Sequence, residues 1–189
     1  MTSLFHESED QLAKLGMAAT PGENLQVVMG GLGLGYSAAV ALEDPRIERL
    51  DVIEFLEGVI DWHRKELVPM SAKLNADPRC QIVHKDFFAW AEGPPDEKYD
   101  AVLLDIDHTP QWVLRDSNRE FYLEVGLKKM SAHIKPGGIF ALWADGRPDV
   151  GFVDHLNLVF TSTNGHLVEF DNPVSGGTSV GTVYVCKVP

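Results

Sequence analysis

Short apolar runs alternate along this chain with segments whose apolar residues recur every three to four positions, which is strand alternating with helix. The runs at 27–30, 50–54, 81–83, 99–105 and 139–143 predict five strands. The run 99–105 (YDAVLLD) is almost wholly apolar, as a central parallel strand covered on both faces must be. Helices are predicted over 7–19, 35–42, 57–67, 117–134 and 149–160, with a short amphipathic FFAWA segment after Asp86. On 57–67 the residues Val59, Ile60, His63 and Leu67 share one face. The helix over 117–134 is expected to stop at Lys135-Pro136-Gly137-Gly138. Beyond 160 the pattern changes. Runs at 166–170 and 182–187 are joined by Asn172-Pro173-Val174-Ser175-Gly176-Gly177, too short for a crossover helix, so they predict an antiparallel hairpin at the sheet edge.

Five strand–helix units and a terminal hairpin give an α/β fold, a doubly wound, mostly parallel seven-stranded sheet of Rossmann-like type. The whole of 1–189 is expected to form one domain, with 1–22 as a helical N-terminal extension and 165–189 as the hairpin. Ligands of such sheets lie beyond the carboxyl ends of the strands, beside strand one. That rule gathers Gly31, Gly33, Gly35, Glu54, Asp86 and Asp105 around one cleft, because each ends or follows a strand.

Charge and composition narrow the function. The formal net charge of −12 argues against a nucleic-acid backbone as partner and is compatible with a cationic one. No apolar run approaches the roughly 20 residues of a membrane span, and the acidic N-terminus lacks a signal peptide's apolar stretch. Cys80 and Cys186 make no disulfide framework or metal spacing and read as buried thiols. A cytoplasmic location is expected. The histidines show no metal-ligand spacing, so no metal is expected.

The chemistry sits in VVMGGLGLGY, a glycine run between the first strand and a helix start. Nineteen residues past its last glycine (54 − 35) comes Glu54, at the end of the second strand. Glycines let the turn approach a ligand, and an acid at the next strand tip can accept hydrogen bonds from a ribose diol. The dinucleotide pattern G-x-G-x-x-G fails, because Tyr36 stands where its third glycine would fall, and no Gly-Lys-Ser/Thr follows to make a P-loop.

From residue 27 to about 140 the chain resembles the catalytic domain of polyamine aminopropyltransferases, the spermidine synthases, which share the class I S-adenosylmethionine-dependent methyltransferase fold. The resemblance rests on VVMGGLGLGY, VIEFLEGVIDWHRKELVP, DPRCQIVHKDFFAW, EKYDAVLLDIDHTP and FYLEVGLKKMSAHIKPGGIFALW. It implies that Glu54 holds both ribose hydroxyls, that Asp86 reads the adenine amino group, and that the glycine backbone lies against the sulfonium-bearing tail. It implies further that Asp105 takes a proton from an attacking amine. The co-substrate would be decarboxylated S-adenosylmethionine or S-adenosylmethionine, and the partner a small-molecule amine. Family members often pair, so a homodimer is the assembly the resemblance allows.

The resemblance also has gaps. The loop position at which the family carries an aspartate near the tail amine is Leu34. The family's D-S-S-D-P reads here Asp105-Ile106-Asp107-His108-Thr109-Pro110, so its second acid is displaced to Asp107 or replaced by His108, a candidate general base. The family's N-terminal β-hairpin domain, with its substrate-gating tyrosine and glutamine, has no counterpart before the first strand. Three readings follow: aminopropyl transfer to an amine, methyl transfer from S-adenosylmethionine, and a non-catalytic nucleoside-binding or interaction module. Asp86 has a structural reading as a helix N-cap, Trp112 and Trp143 as packing residues, and His63 as a core histidine.

Overall fold

The computed structural model describes residues 6–171 and 176–189, so part of the hairpin's connecting segment (172–175) and the first five residues lie outside the described residues. Seven strands form one sheet in the order β3-β2-β1-β4-β5-β7-β6. They are β1 (Leu25–Gly30), β2 (Ile47–Glu54), β3 (Cys80–His84), β4 (Tyr99–Leu104), β5 (Ile134–Asp145), β6 (Ser162–Asp171) and β7 (Thr178–Lys187). The first five run parallel, and β7 pairs antiparallel with both β5 and β6. All five parallel strands and the edge hairpin stand where the hydrophobic pattern predicts them, most of them longer by one to several residues.

The period-2 alternation of the strands separates two cores. Val27, Met29, Ala101, Leu103, Ala141 and Val185 face one side, with helices α1 (Glu7–Ala19) and α2 (Tyr36–Ala41). Val28, Val102, Leu104, Phe140, Leu142 and Tyr184 face the other. That second side is covered by α5 (Phe87–Glu92), a 3-10 helix (Asp116–Tyr122), α6 (Glu124–Ser131) and α7 (Val150–Asn157). A sheet covered on both faces must be apolar on both, which is why 99–105 carries almost no polar residue. Among the described residues no helix is long and apolar enough to cross a membrane.

Three expectations are corrected. The single helix over 117–134 is two pieces, broken at Leu123, whose backbone is extended (φ −89°, ψ 165°). The break lets Gly126 approach so closely that a Cβ there would stand 2.4 Å from the Glu120 carbonyl oxygen and the Phe121 Cα. Lys135-Pro136-Gly137-Gly138 does not follow a helix directly; it lies inside β5, where the pairing with β4 shifts register between Tyr99 and Ala101. The helix predicted over 57–67 ends at Arg64 (α3, Glu57–Arg64). Glu66 turns into the left-handed region (φ 55°), which leaves Leu67 67 % exposed while Val59, Ile60 and His63 are buried. A further helix, α4 (Ser71–Ala76), was not anticipated; its Leu74 is buried beneath the glycine turn.

Candidate active site

Strand order reverses between β1 and β4, so the loops leaving their tips diverge and open a cleft there. The turn after β1 is made by the backbone itself. Gly31 N–H donates to the Ile53 carbonyl and Asp105 N–H to the Gly30 carbonyl, each at 2.9 Å, which ties the turn to both neighbouring strand tips. Gly31 has φ +95°, and a Cβ on it would meet the Asp105 carbonyl oxygen at 2.2 Å. Backbone on backbone cannot yield. Gly31→Ala is therefore expected to destabilise the protein by at least about 2 kcal/mol, the order of left-handed strain plus a core clash. Thermal denaturation reads this directly, and an unchanged midpoint would refute the geometry.

Buried His63 secures the turn from below. Its Nε2–H donates to the Gly33 carbonyl at 3.1 Å, since a carbonyl can only accept, and Ser71 Oγ donates to Nδ1 at 3.4 Å. Burial lowers its pKa, so the ring sits neutral in this tautomer. The core reading of His63 holds, and its core position is also what fixes the glycine loop.

Gly31, Gly33, Glu54, Asp86 and Asp105 line one hollow of about 280 Å³, whose apolar walls include Ile53, Phe55, Leu56, Phe87 and Leu114. Glu54 points at the turn. One carboxylate oxygen accepts Leu32 N–H at 3.1 Å and the other accepts Leu56 N–H at 2.7 Å. Each oxygen keeps a further lone pair, which suits a ligand bearing adjacent hydroxyls. Asp86 caps α5, its Oδ1 accepting from Phe88 N–H at 2.9 Å and Ala89 N–H at 3.3 Å. Its Oδ2 lies 3.6 Å from the Arg115 guanidinium, which stacks over the Phe55 ring at 4.1 Å. Capping and cleft exposure therefore coexist at Asp86. Arg115, unnoticed in the sequence, is the only cation among the described residues lining this hollow.

Asp105 lines this hollow and also a second of about 360 Å³, which runs along Gly31–Gly35 to Tyr36, His108 and Trp143. Ser37 Oγ donates to its Oδ2 at 3.1 Å. Burial, reinforced by the nearby Glu9 charge, pushes the Asp105 carboxyl up to about 6, against the hydrogen bond from Ser37. A carboxylate poised there is a far better proton acceptor near neutrality than an ordinary aspartate.

The next two candidates have different surroundings. Asp107 is 2 % exposed. It accepts Leu114 N–H at 2.6 Å, the Tyr122 hydroxyl at 2.8 Å and the Asn118 side-chain amide at 3.1 and 3.2 Å. Those bonds tie the 3-10 helix to the loop after β4. His108 is exposed, packs against Trp112 with the rings tilted by 40° (4.8 Å between centroids), and faces the second hollow from its rim. Trp143 packs partly into the core and lines the same hollow, whereas Trp112 is largely exposed. Cys186 is buried and Cys80 half-buried, both unpaired with each other, and burial pushes their thiols up to about 12 and about 11.

A doubly wound sheet of this order, with one antiparallel strand set next to its edge and a cleft at the reversal, is the Rossmann-like methyltransferase fold. Residues 5–149 match the spermine/spermidine synthase domain, and the chain belongs to that family. It is 27 % identical to putrescine N-methyltransferase 2 of Nicotiana tabacum over 136 residues, 72 % of this chain and 36 % of that protein. It is 25 % identical to polyamine aminopropyltransferase 2 of Pseudomonas aeruginosa over 174 residues, 87 % of this chain and 46 % of that protein. The spermidine synthase structure from Thermotoga maritima superposes with a TM-score of 0.71 at 18 % identity, covering 96 % of this chain and 59 % of that one. The chain thus spans between about a third and a half of these curated relatives.

Proposed function

We propose that this protein is a transferase that binds an S-adenosyl sulfonium nucleoside and passes its aminopropyl group to a small-molecule amine. The observation that carries the reading is Asp105. It is a carboxylate held near pKa 6 at the wall shared by a nucleoside-sized hollow and a second hollow open to an acceptor. In this reading Glu54 takes the two ribose hydroxyls, a bidentate match of acceptor-only oxygens to a diol. Asp86 Oδ2 accepts from the adenine amino group, and the glycine turn lets the sulfonium lie against backbone.

The acceptor enters as an ammonium of pKa about 10, which has no lone pair to offer. Asp105 orients it and takes its proton. The nitrogen lone pair then attacks the aminopropyl carbon attached to sulfur, a C–N bond forms, the C–S bond breaks, and its electron pair stays on sulfur as a neutral thioether. The sulfonium is an activated leaving group, so positioning and one base are the whole requirement. Asp107 acts indirectly, by holding the loop that carries Asp105. His108, at the rim, is a loop residue that can meet the acceptor.

Methyl transfer from S-adenosylmethionine is the second reading, favoured by the likeness to the putrescine N-methyltransferases. Incubation with each donor and a panel of amines, with mass spectrometry of the products, separates the two. A gain of 57 Da would mark aminopropyl transfer and 14 Da methyl transfer, roughly, from the added C3H7N or CH2. No product with either donor would leave only nucleoside binding and refute the transferase. The kcat/KM of the active pair should rise with pH through about 6, because only ionised Asp105 can accept the proton. A flat profile from pH 5 to 8 would remove Asp105 as the base.

A further inference from the structure

The hollow that runs along the glycine turn has an acid from an unexpected quarter. On α1 the residues Glu9, Leu12, Ala13 and Gly16 fall at helical spacing on one face. Leu12 and Ala13 are fully buried, and Gly16 lies so close to β4 that a Cβ would stand 2.5 Å from Leu103 Cδ2. That face therefore presses on the sheet. One turn further toward the helix N-terminus it reaches the carboxyl ends of the strands, and there the residue is Glu9. Glu9 lines the second hollow together with Gly31–Gly35 and Asp105. The start of the helix is held over the glycine turn by His6, whose ring stacks on Tyr36 at 4.1 Å and 6° and whose Nδ1 meets Asp10 Oδ1 at 3.0 Å.

The charged and polar groups around Asp105 come from four elements: Glu9 from α1, Asp107 and His108 from the loop after β4, the Ser37 and Tyr36 hydroxyls from α2, and Glu54 across the first hollow. No lysine or arginine occurs among the described residues lining the second hollow. A sulfonium nucleoside whose sulfur lies by the glycine turn must send its remaining substituent into this space. An ammonium at the end of that substituent gains a carboxylate partner there, and a carboxylate meets like charge with no lysine or arginine among the described lining residues to pair with.

We propose that Glu9 is a specificity-determining residue that selects the donor by its tail, favouring the amine-terminated, decarboxylated sulfonium nucleoside over the amino-acid form. The inference rests on the nucleoside reading of the first hollow. It places on α1 an acid for the tail that the loop, with Leu34, lacks.

Isothermal titration of the full chain and of Glu9→Gln and Glu9→Lys with three ligands tests it: methylthioadenosine, decarboxylated S-adenosylmethionine and S-adenosylmethionine. Methylthioadenosine has no charged tail and reports the nucleoside hollow alone. The wild type should bind the decarboxylated form at least about tenfold more tightly than S-adenosylmethionine, the order of one charge-assisted hydrogen bond. Glu9→Gln should lose most of that preference, and Glu9→Lys should reverse it, with methylthioadenosine affinity unchanged in both. Retained preference in both variants overturns the role of Glu9 and leaves the nucleoside site intact. Failure of methylthioadenosine to bind the wild type instead overturns the site on which the inference stands.

Discussion

Asp105→Asn is expected to abolish turnover and stabilise the fold at once. A positioned general base contributes about 10²- to 10⁴-fold, and asparagine cannot accept the ammonium proton, so kcat should fall by that order. Its amide oxygen can still accept from Ser37, and the nucleoside hollow keeps its walls, so donor affinity should hold. The stability effect follows from the direction of the shift. In the unfolded chain an aspartate titrates near about 4, and in the fold Asp105 titrates at about 6. Between those values the folded state holds the proton more tightly, so stability falls as pH rises through this window and stays lower above it. Asparagine carries no such charge. Its advantage should be about 2–3 kcal/mol at pH 8, a rise in Tm of several degrees, and should vanish below about pH 4. Calorimetry across pH beside single-turnover kinetics checks both halves. An asparagine variant that turns over normally would end the catalytic assignment, and one less stable at pH 8 would contradict the burial argument.

Removing the Glu54 carboxylate is expected to give the largest loss of binding. Glu54→Ala forfeits two charge-assisted hydrogen bonds to a ribose diol, each worth about 1.5–3 kcal/mol, so affinity for methylthioadenosine should drop at least about a hundredfold. It also strips Leu32 and Leu56 N–H of their acceptor, but both groups lie at the cleft, where water can replace it. The fold should therefore survive, with a Tm within a few degrees of wild type. Glu54→Gln keeps one acceptor oxygen and should fall between the two. Titration calorimetry with methylthioadenosine decides, and an unchanged dissociation constant for the alanine variant would sink the ribose assignment.

The two predictions draw on different depths of the sequence. Glu54 and the glycines are legible because strand tips, turns and spacing are local: a glycine run between a strand and a helix can do little else at that position. Asp105 is legible for a related reason, since an acid closing an otherwise apolar strand must face a cleft or go unsolvated. Asp107 reads equally well as a cleft acid, and the chain alone does not distinguish it. Its bonds to Asn118 and Tyr122, 11 and 15 residues on, tie the loop after β4 to the 3-10 piece of the segment that the hydrophobic repeat assigns to one helix.

Periodicity along the chain settles which residues face inward, hence the seven strands, their covered faces, their mostly parallel run and the loops that carry the chemistry. These are consequences of burying apolar surface, a short-range rule written residue by residue. What comes from folding is how far each face extends past its neighbour. Glu9 stands on the same helical stripe as Leu12 and Ala13, and nothing in the spacing says that the stripe overruns the sheet there. Arg115 likewise meets Asp86 and Phe55 only because β2, α5 and the loop after β4 converge. Charge at a site depends on distances through space, and in this molecule Gly31 and Gly126 let backbone approach backbone while Gly16 lets α1 close onto the Leu103 and Ala141 side chains.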